Sequence, residues 1–96
     1  MYRVDCREIA SYEDFIEVFN KALIEPAGGK WSGNLDAFND YLSWPKKAPY
    51  KLEIIGTARC EQVLNYVAHE RHEKALWQLI REIFLDNQKL VLVEFH

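Results

Sequence analysis

The chain is poor in the residues that announce a function. It has two cysteines, Cys6 and Cys60, too few for a disulfide framework and matching no zinc spacing, so they read as two ordinary thiols in a reducing compartment. Three prolines and four glycines leave no linker, repeat or low-complexity segment. The one glycine-rich stretch, Ala27 to Gly33, lacks the spacing and the following Lys-Ser/Thr of a phosphate loop. No apolar run approaches the roughly 20 residues of a spanning helix. Met1 to Glu8 lacks the basic-then-apolar layout of a signal peptide. These absences point to a cytoplasmic protein with no membrane partner. Positive charge is short as well: 12 basic residues face 15 acidic ones, for a net charge of −3. Neutralising phosphates needs a basic face, so direct nucleic-acid binding is not expected, and a cationic partner suits the chain better.

What is present is a globular composition, 49% hydrophobic, 28% charged and 14% aromatic, in 96 residues. That is one domain's worth of chain. Tyr2–Asp5 alternates in polarity and predicts a short strand. Ser11 then caps a helix whose buried face is Phe15, Phe19, Ala22 and Leu23, with Asp14 three residues after the cap. Pro26 stops it. Asn34 caps a second helix running to about Ser43, with Leu35, Phe38, Tyr41 and Leu42 inward. Tyr50–Ile55 predicts a strand, Arg59 to about Tyr66 a short helix, and about Glu70 to Leu85 a longer one with Ala75, Leu76, Leu79, Ile80 and Ile83 on its stripe. Asn87 is suited to a left-handed cap, and Lys89–Phe95 forms the last strand. Its unbroken apolar run, Leu90 to Val93, suggests cover on both faces. Helical crossovers between strands favour an α/β fold, a three-stranded parallel sheet packed with four helices.

The parts of an enzyme are missing. His69 and His72 stand three apart, not four as in a zincin helix, and no third ligand joins them, so no metal is expected. Ser11 and Ser43 read as a cap and a helix end, and neither cysteine has a histidine near it in sequence. No catalytic residue and no cofactor are assigned. The informative segment is Asn34 to Leu42. Asp36 and Asp40 lie four apart and project from one helix face, with no basic residue between Trp31 and Pro45 to neutralise them. The helix dipole favours Asp36 but does less for Asp40, a turn further in. Glu82 and Asp86 repeat the arrangement on the last helix. Read as charge pattern alone, such pairs are a solvated surface.

Residues Gly33-Asn34-Leu35-Asp36-Ala37-Phe38-Asn39-Asp40-Tyr41-Leu42 resemble the signature of the barstar family, intracellular inhibitors of barnase-type secreted ribonucleases. Ser11 to Leu23 is similar to the family's first helix and Gln78 to Glu82 to its fourth, so the resemblance covers essentially the whole chain. It implies a non-enzymatic inhibitor, a bacterial-type immunity protein, monomeric when free. Such a protein sets its second helix and the preceding loop into the active site of a basic, extracellular-type ribonuclease. Asp40 matches the position whose carboxylate occupies the phosphate site, and Asp36 and Glu82 match two further acids of the contact. Asn39, Trp31, Lys30 and Gly33 flank them.

The sequence departs from that pattern in the loop and on the helix. Lys30 stands where the best-known member has an aromatic over the substrate cleft, Asn39 replaces a tryptophan, and Ser32 a loop glycine. Lys46 and Lys47 would repel a basic partner if they face it. Trp31 either supplies the missing ring or packs in the core. Trp77 and Phe84, off the main stripe, are either core or a second interaction surface, and Trp44 is expected to close the second helix against the core. The competing function keeps the fold and drops the nuclease: an immunity or regulatory interaction module acting on a different toxin or cellular partner.

Overall fold

In the computed structural model, residues 2–67 and 73–96 are described. The order is β1 (Tyr2–Asp5), α1 (Tyr12–Phe19) with a π-helical extension over Asn20–Ile24, α2 (Leu35–Tyr41), β2 (Tyr50–Ile55), α3 (Thr57–Val63), α4 (Leu76–Asp86) and β3 (Val91–Phe95). The strands form one parallel sheet in the order β1-β2-β3. Among the described residues the architecture is therefore α/β, with a three-stranded parallel sheet and four helices. Among the described residues no helix is long and apolar enough to cross a membrane.

Local chemistry accounts for the element starts. The Ser11 hydroxyl accepts from the Asp14 amide at 3.2 Å, and the Asp14 carboxylate accepts from the Ala10 amide at 2.8 Å. The Asn34 side chain accepts from the amides of Asp36 and Ala37 at 2.8 and 3.1 Å. α3 begins two residues before the expected Arg59, because Gly56, at φ +71°, turns the chain directly out of β2.

α4 begins later than expected. Glu73 to Ala75 are not helical, and the rest of the expected N-terminal extension, with His69 and His72, lies outside the described residues. Ala75 is extended, and the amides of Leu76 and Trp77 donate instead to the carbonyls of Tyr66 and Leu64, where the chain leaves α3. Asn87 keeps a negative φ of −116° and does not form the expected left-handed cap. Its side-chain amide caps the helix by donating to the Ile83 carbonyl at 2.7 Å.

Among the described residues, the helices cover one face of the sheet only. Val4, Tyr50, Leu52, Ile54 and Val91 point into the core, whereas Arg3, Lys51, Leu92 and Glu94 alternate with them on the exposed face. The expectation that β3 is covered on both faces is thus corrected: it is an edge strand, and Leu92 is 46% exposed. The core is aromatic, with Phe15, Phe19, Trp31, Phe38, Trp77 and Phe84 joined in edge-to-face and tilted contacts.

The cysteine reading is also corrected. Cys6 and Cys60 are joined in a disulfide, both fully buried, with Cα atoms 5.6 Å apart. The Cys6 amide continues the sheet by donating to the Ile55 carbonyl at 2.8 Å, and the Gly56 turn then lays α3 across the end of β1. Sequence distance concealed that proximity. With no free thiol, the argument from thiols to a reducing compartment falls.

Candidate functional site: an acidic groove between two helices

The crossovers set α2 beside α4, and the acidic pairs meet there. Asp36, Asn39 and Asp40 from α2 and Glu82 and Asp86 from α4 line an open groove of about 480 Å³, floored by Leu35, Leu79 and Ile83. Apolar residues one turn apart hold each helix to the core, leaving the intervening positions outward. Asp36, Asp40 and Asp86 are exposed and have no ion-pair partner among the described residues. Four carboxylates around one shallow groove make a field that a cationic surface would fill.

Glu82 does not stand free, as the charge pattern suggested. Lys74 lies just ahead of α4 and its ammonium donates to Glu82 Oε1 at 2.7 Å. Both side chains are well solvated, so this pair is weak and its amine is displaceable. The sequence conceals the pairing because Lys74 is eight residues away and stands outside the helix that carries Glu82. Asn39 is engaged as well: the Asn87 side-chain amide donates to Asn39 Oδ1 at 2.7 Å, tying the end of α4 to the middle of α2.

The loop before α2 is pinned from three sides. The buried Asn20 amide bonds Trp31 twice, donating to its carbonyl and accepting from its backbone amide, each at 2.7 Å. Tyr12 Oη donates to the Gly33 carbonyl at 2.7 Å, and Tyr41 Oη to the Lys30 carbonyl at 2.9 Å. Burial raises the Tyr12 hydroxyl well above the ordinary tyrosine range, keeping it a neutral donor. Gly33 sits at φ +107°, and a Cβ there would come within 2.7 Å of Ile16 Cδ1. Only glycine suits that turn. The start of α2 is therefore fixed by Asn20 and Tyr12, neither of which stood out in the sequence. The readable signal was a polar Asn20 beside the apolar stripe of α1.

Of the residues expected at the site, Asp36, Asn39, Asp40 and Glu82 are brought together, and Asp86 joins them. Lys30 and Gly33 do not line the groove: Lys30 is exposed on the preceding loop, and Gly33 is its turn. Trp31 is 1% exposed, with its indole N–H donating to the Asn34 carbonyl at 2.8 Å. It is core, not a contact ring, because the aromatic cluster and the Asn20 clamp draw it inward. Trp77 and Phe84 are also buried, which removes the second surface imagined for them. Trp44 reverses its expectation: it is 45% exposed, with its ring 4.8 Å from that of Tyr41. Lys46 and Lys47 line a different groove, with Trp44, Tyr2 and Lys51, so they do not face the acidic one. Against known proteins, the chain matches no family model and no curated protein.

Proposed function

We propose that the chain is a barstar-like inhibitor of a basic, barnase-type ribonuclease, presenting the α2–α4 groove to the enzyme's active site. The observation that carries this reading is the meeting of Asp36, Asp40 and Glu82, three acids from two separate elements, in one groove. The three-stranded parallel sheet, the four helices and their order agree with the resemblance carried by Gly33 to Leu42.

The physical logic is electrostatic. A ribonuclease cleft is built to desolvate and hold phosphate with cationic donors, and a carboxylate on a rigid helix accepts the same charge-assisted hydrogen bonds. Asp40 takes the phosphate position, with Asp36 and Glu82 beside it. Engaging Glu82 displaces Lys74, a small cost at a solvated pair. The protein contributes no chemistry; it excludes RNA by occupying the site. It works as a monomer, protecting the cell that makes the enzyme, as an immunity protein does.

Asn39 and Lys30 set the choice of enzyme. Asn39 is held by Asn87, and Lys30 gives the loop a positive charge in place of an aromatic lid. A member with these residues fits a ribonuclease whose rim differs from that of barnase. The test is titration into a barnase-type ribonuclease assay at low and at physiological salt. Stoichiometric inhibition that weakens with salt is expected. No inhibition at micromolar protein would move the function to another toxin.

A further inference from the structure

The sheet face turned away from the helices carries a second group of ionisable side chains that the acidic groove does not use. Strand register sets Arg3 of β1, Glu53 of β2 and Glu94 of β3 in one row. Like charges directly opposite on a sheet are destabilising, so Glu53 and Glu94 call for a cation between them. Arg3 answers on one side only, its Nε donating to Glu53 Oε1 at 2.8 Å, which leaves Glu53 Oε2 turned toward β3. Two residues beyond Glu94, His96 returns to the same face. Its backbone is fixed, the amide donating to the Ile54 carbonyl at 2.9 Å and the carbonyl accepting from the Thr57 amide at 2.8 Å.

His96 Nε2 stands 3.4 Å from Glu94 Oε2 and 3.6 Å from Glu53 Oε2, and the three ligand atoms all lie within 4.8 Å of one another. A direct charge-assisted hydrogen bond would be shorter, about 2.7–2.9 Å. The two histidine–carboxylate separations accommodate a shared ion as well as a direct ion pair. Ligand atoms about 2.0–2.1 Å from a tetrahedral zinc ion stand about 3.3 Å from one another.

We propose that Glu53 Oε2, Glu94 Oε2 and His96 Nε2 form a binding site for a divalent transition-metal ion of the zinc type. One imidazole and two carboxylates are a borderline donor set that suits such an ion, and its two charges offset those of the two carboxylates. Three protein ligands leave the fourth position to water or to a group on a partner. Arg3 holds Glu53 from behind through the oxygen the metal does not use, which orients the ligand. The strands carrying the three residues are paired in register, so the ligands are placed by the sheet and not by a loop. The site lies across the sheet from the helices and is independent of the acidic groove.

The test is a zinc titration of the metal-free protein at pH 7.5 against a chelating indicator. It compares wild type with Glu94→Gln, His96→Gln and the double variant His69→Gln/His72→Gln. One equivalent of zinc is expected, with affinity weakened about tenfold or more in Glu94→Gln and in His96→Gln and unchanged in the double variant. Glu94 and His96 are exposed, so thermal melts of those variants should match wild type. Unchanged affinity in His96→Gln, loss confined to the double variant, or no binding at roughly 100 µM zinc would each overturn the proposal.

Discussion

Asn20 fixes the loop ahead of the acidic helix through both ends of one amide. It is the one polar side chain among the buried residues described, and its partners are the backbone amide and carbonyl of Trp31. Truncating it strands two buried backbone groups, each costing about 1–3 kcal/mol. Asn20→Ala should therefore lower stability by about 2 kcal/mol or more in urea denaturation, against a change within about 0.5 kcal/mol for an exposed polar residue such as Gln88. An equal, small effect in both would mean that the clamp is not structural. At this scale the sequence spoke for some residues and not for others. Ser11 and Asn34 were legible as caps because capping is chemistry within a few residues. The fates of Trp31 and Trp44 were not, since their burial depends on rings supplied by other elements.

The acidic groove is a property of two helices and of neither alone. α2 and α4 are each amphipathic at a spacing readable in sequence, so each acid pair could be placed on an outer face. Their meeting depends on the sheet order, and the Asn87–Asn39 bond that joins them spans 48 residues. Lys74 was hidden in the same way, because α4 was expected to begin well before it. Its ammonium is the one positive charge paired with an acid of the groove among the described residues. Removing it leaves four carboxylates facing an incoming cationic surface. Lys74→Ala should raise the association rate with a basic ribonuclease a few-fold at low salt, read by stopped flow, while stability changes by less than about 1 kcal/mol. A slower association would show that Lys74 contacts the enzyme directly. Strand β3 teaches the converse: its apolar run was legible, but Leu92 faces solvent because the described helices lie on the other face of the sheet.

The molecule as a whole separates its stabilising and its recognising parts. The Cys6–Cys60 bridge closes a loop across a sequence separation of 54 residues and ties β1 to α3, away from the groove. Closing a loop of that length stabilises by about 4 kcal/mol in the chain-entropy model. A domain of this size has only about 5–15 kcal/mol in total. Reduction should lower the urea midpoint substantially, measured with and without reductant, and leave inhibition intact where the fold persists, since neither groove helix carries a cysteine. An unchanged midpoint would show that the thiols hold the same packing unbonded. The strand and helix order of the fold was legible because periodicity survives in short elements; the bridge, the one-sided sheet and the groove were not, being products of topology.

The most direct test of the acidic groove compares wild type, Asp40→Ala and Trp44→Ala in the ribonuclease inhibition assay. Asp40→Ala should weaken inhibition by several kcal/mol, a magnitude carried over from the barnase–barstar pair, because truncation leaves the enzyme's buried cations without a partner. Trp44→Ala, on the other groove, should inhibit as wild type does. Inhibition by Asp40→Ala equal to wild type, or lost instead in Trp44→Ala, would contradict the assignment.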